Sequence, residues 1–549
     1  MRERVLQIDA KDNVLIALAD LRKDGQVTFS GRSCVLPTDV PAKHKFALQD
    51  LAAGDPIVMY GVRVGKAVTA IRQGEVITTR NIHHDVASFH EYSQPYRWHA
   101  PDVSKWQQRT FLGYRRADGQ VGTRNYWIVL PLVFCENRNL AVLKQAFEEE
   151  LGFAPPQTYR RHVAELVRLY RDGKTQELEN YSFLERTRQA AHPKLFPNID
   201  GIKFLTHEGG CGGTREDSRN LCALLSGYIH HPNVAGATVL SLGCQNAQVG
   251  ILREELQHRD PHFKKPLLIF EQQQSASEFA LISQATKETF LGLVEANKVA
   301  RQPASISELC VGLKCGGSDG FSGISANPAI GHVSDLIAAL GGNGVLAEFP
   351  ELCGVEQDLI NRCTQKEIAD RFVQLMTDYA ERAKAVRSGF EMNPSPGNIR
   401  DGLLTDAMKS AGAAKKGGTS PITAVLDYPE YVTQPGLNLL CTPGNDVECV
   451  TAQVGAGANV VLFTTGLGTP TGNPISPVIK LSSNTALAER MPDIIDVDSG
   501  SIISGESTIE QTGEKLLELV LKVASGEVRT KAELLAQDDF IPWKRGVSL

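Results

Sequence analysis

The segment Lys314-Cys-Gly-Gly-Ser-Asp-Gly-Phe-Ser-Gly323 carries the strongest chemical signal in the 549-residue chain. Its glycines let backbone N–H groups come close to a ligand, and a helix opening after them would turn its positive end toward an anion. Lys314 would add a cation for a carboxylate or phosphate, with Ser318, Asp319 and Ser322 as hydrogen-bonding partners of a polar substrate. The Gly-Lys-Ser/Thr ending of a nucleotide P-loop is missing. A tight turn without a ligand is the ordinary alternative, but such turns rarely combine Lys, Asp and two Ser.

Three other glycine-rich junctions share this character: Thr206-His-Glu-Gly-Gly-Cys-Gly-Gly213, Gly243-Cys-Gln-Asn246 and Thr464-Thr-Gly-Leu-Gly-Thr469. Cys211, Cys244 and Cys315 could meet in space and, with His207, form a soft site for iron or zinc. Small thiols also fill tight turns, and the spacing selects no metal. Glu348 and Glu351, ahead of Cys353, read as a solvent edge before a metal site. His44 stands between Lys43 and Lys45, and neighbouring positive charge favours a neutral imidazole able to act as a base near pH 7. A lone exposed His is nevertheless usually inert. In Gly119-Gln-Val-Gly-Thr-Arg-Asn125, Arg124 and Asn125 suit a carboxylate or polyol, with an ordinary surface Arg as the alternative.

The elements needed to position these residues are legible as short apolar runs alternating with helical stretches. The runs cover residues 126–133, 201–206, 237–242, 266–270, 309–313, 344–347 and 459–464. This alternation predicts α/β units with largely parallel sheets. In an open parallel sheet, ligands bind beyond the carboxyl ends of the strands, where four of the runs meet the motifs above. Residues 1–90 predict a small strand-rich unit, in which Leu51-Ala-Ala-Gly-Asp-Pro-Ile57 and Ile71-Arg-Gln-Gly-Glu-Val-Ile77 repeat one turn pattern and Leu21-Arg-Lys-Asp-Gly-Gln-Val27 is a looser copy. Residues 91–109 read as a linker with anchoring rings. The spacing predicts a helix over 355–387, another opened by a capping box at Ser507-Thr-Ile-Glu510, and a charged, mostly helical elaboration over 136–200. A break near residue 265 divides 110–265 from 266–549.

Composition excludes whole classes of function. The 57 basic and 63 acidic side chains give a net charge of −6, without the basic excess expected of a nucleic-acid binder. Charges occupy the start of the chain where a secretory signal would be apolar. Residues 449–479 are uncharged but hold five glycines and three prolines, a buried strand and loop rather than a membrane helix. The eleven cysteines lack any C-x-x-C pair and read as reduced thiols of a cytoplasmic protein. No dinucleotide fingerprint is present, so neither nicotinamide nor flavin is expected.

The chain resembles the altronate/galactarate dehydratase family over nearly its full length. The resemblance rests on Asp12-Asn-Val14, His44-Lys-Phe-Ala-Leu48, Arg115-Arg-Ala-Asp-Gly-Gln-Val-Gly-Thr-Arg-Asn125, His231-Pro-Asn233, Gly312-Leu-Lys-Cys-Gly-Gly-Ser-Asp-Gly320, Asn393-Pro-Ser-Pro-Gly-Asn398 and Pro435-Gly-Leu-Asn-Leu-Leu440. It implies an N-terminal SAF-type β domain followed by two Rossmann-like α/β domains. It also implies dehydration of D-altronate to 2-dehydro-3-deoxy-D-gluconate in hexuronate catabolism, a requirement for Fe²⁺ or Mn²⁺, and a homo-oligomer, expected to be a dimer. On that basis His44 and Lys45 are the expected catalytic residues, with Lys45 also an anion holder. Arg124, Asn125, Lys314, Ser318, Asp319 and Ser322 are the expected substrate contacts, and His207, Cys211 and Cys244 the expected metal ligands. The chain departs from the family at Ser241-Leu-Gly-Cys-Gln245, where a Glu is typical at the last position, and in a longer 136–200 segment. The rival readings are a galactarate or other aldonate or aldarate dehydratase, an iron–sulfur hydro-lyase using Cys211, Cys244 and Cys315, and a non-catalytic sugar-acid-binding protein.

Overall fold

Residues Tyr126–Pro131 are buried without alternation, the pattern of a strand covered on both faces. In the computed structural model, which describes residues 4–89, 92, 96–155, 157–182 and 194–548, this strand lies inside a four-stranded sheet. The order is Gly201–Phe204, Tyr126–Pro131, Val234–Ser241, Leu267–Glu271, and every pairing is parallel. Helices Arg215–His230, Val249–Arg259 and Glu278–Ala296 make its crossovers and flanks. Thr214 caps the first of these by accepting the Asp217 N–H at 3.0 Å. The expected break near residue 265 therefore falls inside this unit, because Leu267–Glu271 completes its sheet.

A second parallel sheet has seven strands, in the order Ile422–Leu426, Gly436–Leu440, Asn343–Leu346, Cys310–Cys315, Val460–Thr465, Val478–Ser482, Val497–Asp498. Cys310–Cys315 is its central strand and is wholly buried. A small antiparallel sheet, Val121–Gly122, Thr110–Arg115 and Gln302–Ser305, stitches the chain before the first parallel sheet to the chain after it. One apolar core runs across both parallel sheets, joining Ile128 and Leu224 to Val461 and Phe463.

The N-terminal unit is all β, from Val5–Leu6 to Ile82–His83. Its repeated turns pair, Leu51 bridging Ile71, with Gly54 and Gly74 at φ of 92° and 82°. In the looser third copy Asp24 takes the left-handed position at 62°. The expected single helix over 355–387 is instead Glu356–Arg362 and Lys366–Ala385, interrupted where Cys363 bridges Ile422. The capping box expected at Ser507 is made one residue later by Thr508 and Gln511, opening Ile509–Ala524. The 136–200 segment forms helices Asn137–Leu151, Thr158–Arg171 and Thr175–Glu179, and its residues 183–193 lie outside the described residues. Trp106 anchors the 91–109 connection, buried in the core.

Candidate active site

The carboxyl end of the central strand Cys310–Cys315 delivers Lys314 and Cys315, and the turn after it presents Ser318, Asp319 and Ser322. Asp319 is fully buried. Its Oδ1 accepts hydrogen bonds from Ser483 Oγ at 2.7 Å, Ser322 Oγ at 2.8 Å and the Ser322 N–H at 3.0 Å. Its Oδ2 accepts from Asn484 Nδ2 at 3.1 Å and pairs with Lys43 Nζ at 3.0 Å. Lys43 belongs to the N-terminal β domain and also pairs with Asp401 at 3.0 Å. Two glycines permit this docking: a Cβ on Gly320 would lie 2.4 Å, and one on Gly402 2.5 Å, from the Lys43 carbonyl oxygen.

The same loop inserts Lys45, which is fully buried and donates to the Gly402 carbonyl at 2.6 Å. Burial drives its pKa down to about 7, with Asp319 opposing. Lys43 moves the other way, held protonated above its ordinary value by Asp319 and Asp401 against the cost of burial. His44 is half-buried, with Nδ1 3.2 Å from the Ala42 carbonyl. Burial first, then the two flanking lysines, keeps its pKa below the usual histidine value, while the Ala42 contact and Asp401 oppose. With Nδ1 donating to Ala42, Nε2 is the basic nitrogen. The structure thus brings His44, Lys45, Asp319 and Ser322 together where the β domain meets the strand ends. Ser318 is buried in the same turn, its carbonyl accepting from Asn398 Nδ2 at 2.8 Å.

Lys314 lies in a buried ionic layer beneath this turn. Its ammonium pairs with Glu348 Oε1, with Asp446 at 2.8 Å and with the Cys315 carbonyl at 2.6 Å. Lys416 Nζ lies 3.0 Å from Glu348 Oε2 and 2.8 Å from Cys315 Sγ. Lys409 Nζ lies 2.7 Å from Glu351 Oε1. Three lysines thus balance three carboxylates, and the expected role of Lys314 as a free anion holder gives way to a structural one because its donors are spent. Asp406, buried beside Glu351, is held protonated chiefly by burial.

Arg124 and Asn125 are placed elsewhere, at the amino end of Tyr126–Pro131, opposite the strand-end loops. Arg124 pairs with Glu533 at 2.7 and 3.0 Å and donates to the Thr123 and Val523 carbonyls. Asn125 bonds the Asn198 carbonyl, Asp200 and Arg116. Both clamp the interior rather than reach a substrate. His207 also departs from expectation. Its Nε2 lies 2.8 Å from the Pro131 carbonyl and its Nδ1 accepts the Gly209 N–H at 3.1 Å, so both ring nitrogens are engaged, and burial lowers its pKa to about 4. Cys315 is buried in the ionic layer, whereas Cys211 and Cys244 are exposed at the ends of the other sheet, so those three cysteines do not form one site.

Among the described residues, two groups bring three metal-ligating atoms within 4.8 Å of one another: Asp118, His230 and Asp260, and Cys315, Glu348 and Glu351. In the second, both oxygens of Glu348 and one of Glu351 are taken by lysines and the last lies 3.5 Å from the Cys315 thiol, so a divalent ion does not fit the arrangement. In the first, His230 is kept neutral with a pKa near 4, chiefly by burial, a suitable donor set. It stands at the amino end of strand Val234–Ser241, on the opposite edge from Lys45.

Lys43, Asp401, Lys409, Lys416, Ser483 and Asn484 escaped sequence reading. Ser483 and Asn484 follow a strand end, Val478–Ser482, and strand-end position was the available signal. Lys409 and Lys416 sit in and just after an ordinary-looking helix and offered none.

Comparison with known proteins agrees with this architecture. Residues 3–85 match the altronate/galactarate dehydratase SAF domain. Residues 113–297 match the D-galactarate dehydratase/altronate hydrolase second domain, and residues 306–548 the D-galactarate/altronate dehydratase C-terminal domain. The chain is 34% identical to altronate dehydratase of Escherichia coli (strain K12), covering 99% of both chains, and 34% identical to that of Bacillus subtilis (strain 168), covering 95% of both. It is 30% identical to the L-threo-forming galactarate dehydratase of Escherichia coli (strain K12), over 96% of this chain and 93% of that one.

Proposed function

The chain belongs to the D-galactarate/altronate dehydratase family, and from that premise we propose that it dehydrates D-altronate to 2-dehydro-3-deoxy-D-gluconate and water. The observation that carries the catalytic assignment is the fully buried Lys45, with a pKa near 7, beside neutral His44 and the Asp319 carboxylate. Loss of water from a 2,3-dihydroxy acid requires a base for the weakly acidic proton at C2. An amine that titrates near neutrality is matched to that task and, once protonated, to returning the proton to the departing C3 hydroxyl. His44 Nε2 is the second basic atom on the same loop. Lys43, held protonated, supplies fixed positive charge near the substrate carboxylate. Ser318 and Ser322 are the polar contacts, and Asp319 orients Lys43 while opposing the drop in the Lys45 pKa. The enol product then tautomerises to the 2-keto-3-deoxy acid.

A ferrous or manganous ion would supply Lewis acidity toward the enolate. Among the described residues, neither triad of donor atoms gives such an ion a place beside Lys45. Greater identity to altronate than to galactarate dehydratases, 34% against 30%, supports the aldonate substrate. Eleven free thiols support a reducing, cytoplasmic setting, and among the described residues no helix is long and apolar enough to cross a membrane. A homodimer is proposed from helix Thr158–Arg171, where Tyr159, Val163, Val167 and Tyr170 form one exposed apolar stripe.

Purified protein, supplied anaerobically with Fe²⁺ or with Mn²⁺, should form a 2-keto-3-deoxy acid from D-altronate faster than from galactarate or other aldonates and aldarates. Preferred turnover of galactarate would replace the substrate assignment, and no turnover of any sugar acid would overturn the dehydratase reading.

A further inference from the structure

Lys43 stands in a left-handed backbone conformation, with φ at 74°. A residue with a long side chain seldom sits there, and Lys gains nothing locally from doing so. The turn is fixed on the β-domain side, where the Lys43 N–H donates to the Ala17 carbonyl at 2.8 Å and the Ala17 N–H to the His44 carbonyl at 2.9 Å. Backbone strain of this kind persists where the surroundings over-determine it, commonly at functional sites. The place to look is therefore the far end of the side chain.

That end meets the turn closing the short helix Pro396–Arg400. The Gly402 N–H donates to the Ile399 carbonyl at 3.1 Å and the Leu403 N–H to the Asn398 carbonyl at 3.0 Å, the bonds of a Schellman motif. The turn is also pinned to the loop after the central strand. The Gly320 N–H donates to the Asp401 carbonyl at 2.7 Å, and Asn398 Nδ2 to the Ser318 carbonyl at 2.8 Å. Its last two residues meet the two lysines in turn. Asp401 Oδ1 accepts from Lys43 Nζ at 3.0 Å, and the Gly402 carbonyl from Lys45 Nζ at 2.6 Å. Asp319, on the other loop, lies 3.0 Å from the same Lys43 ammonium. An ammonium has three donors. The third has no hydrogen-bond partner among the described residues, and the Lys43 side chain is 20% exposed.

We propose that Asp401 is a positioning residue of the dehydration, tethering the Lys43 ammonium against Asp319 so that its third donor is presented to the substrate carboxylate; this role rests on the dehydratase reading of the site. One carboxylate fixes a flexible four-carbon side chain poorly, whereas two carboxylates on separate loops hold the ammonium between them. The tether trades affinity for orientation, because two negative charges beside one positive charge weaken its pull on an anionic substrate. Asp401 also acts on His44, favouring the protonated imidazole while Lys43 and Lys45 oppose it.

Steady-state kinetics of full-length Asp401→Asn with D-altronate should show kcat about tenfold lower and KM unchanged or lower, since the ammonium loses an anchor and faces less negative charge. Asp401→Glu keeps the charge and should recover most of kcat. Lys43→Gly removes the ammonium at a backbone position that glycine suits. Adding Asp401→Asn to it should lower kcat/KM no further, as expected of two groups acting as one. An NMR titration of the histidines reads the same contact without turnover. The His44 midpoint, assigned by its loss in His44→Gln, should fall by about 0.3–0.5 pH unit in Asp401→Asn and stay in place in Asp401→Glu. Wild-type kcat in Asp401→Asn, a raised KM at unchanged kcat, or additive losses in the double variant would each overturn the positioning role. A wild-type protein inert toward every sugar acid that still shows the His44 shift would remove the dehydratase reading and leave the tether standing. An active wild type whose His44 midpoint ignores Asp401→Asn would do the reverse.

Discussion

Lys43 and Lys45 lie two residues apart, and the fold drives their amines in opposite directions. Lys43 meets two carboxylates and stays charged, while Lys45 is sealed against one carbonyl and loses affinity for its proton. A Lys45→Met variant should lower kcat about a hundredfold or more. In the wild type kcat/KM should fall about tenfold per pH unit below 7 as the amine protonates. The linkage has the unusual sign for a lysine. The folded-state pKa lies below the ordinary 10.5, so the unfolded chain binds more protons between about pH 7 and pH 10. Stability attributable to this group therefore rises with pH across that window and is lowest below pH 7. Removing it should flatten that rise and leave Tm at pH 6 unchanged or higher. Urea titrations of both proteins at several pH values check this, and a variant with wild-type turnover would return the base role to His44.

At the level of elements, the glycine-rich strand ends were legible because a backbone that must approach something closely leaves its signature in residue type. Seven apolar runs became strands, since continuous burial needs only local hydrophobicity. Ile422–Leu426 and Gly436–Leu440 were missed: they are short, carry Thr423 and Asn438, and owe their pairing to neighbours distant in sequence. The misplacement of Arg124 has a similar cause, since nothing local separates a ligand-facing guanidinium from one neutralised by Glu533, 409 residues away. His207 has the residue type of a metal ligand, but nothing local shows that its ring nitrogens are taken up by the Pro131 carbonyl and the Gly209 N–H. Helix Thr158–Arg171 gives this scale its own prediction. Its stripe of Tyr159, Val163, Val167 and Tyr170 repeats at helical spacing on the exposed face. Val163→Asp with Val167→Asp should convert a dimer into a monomer in light scattering with little change in secondary structure. A wild-type mass for that variant would remove this face from the interface.

Across the whole molecule, the carboxyl ends of both parallel sheets are tied together by the C-terminal residues. The Trp543 N–H donates to Tyr428 Oη at 3.0 Å, and Phe540 meets Tyr228 edge-on at 4.9 Å between ring centres. Arg545 pairs with Asp427, and its N–H donates to Asp217 at 2.9 Å. Tyr228 and Asp217 belong to the four-stranded unit, and Tyr428 and Asp427 to the seven-stranded one. From Trp543 the contacts continue through Tyr379 and Phe390 at 5.4 and 5.5 Å, then to Asn393, which accepts from Lys409 at 2.7 Å in the buried ionic layer. One run of contacts therefore joins the cleft lined by the 206–213 loop, Phe540 and Trp543 to the layer beneath Asp319. Trp543→Ala deletes the ring shared by Tyr379, Tyr428 and Arg545, at a cost of about 2–4 kcal/mol for a large, partly buried aromatic. Because the lost contacts bridge two units, calorimetry should show the four-stranded unit melting below the rest instead of with it. Fluorescence of a thiol label on Cys211 should report that lower transition. Wild-type coincidence of the two would mean that the shared apolar core, and not the C-terminal residues, holds the sheets together.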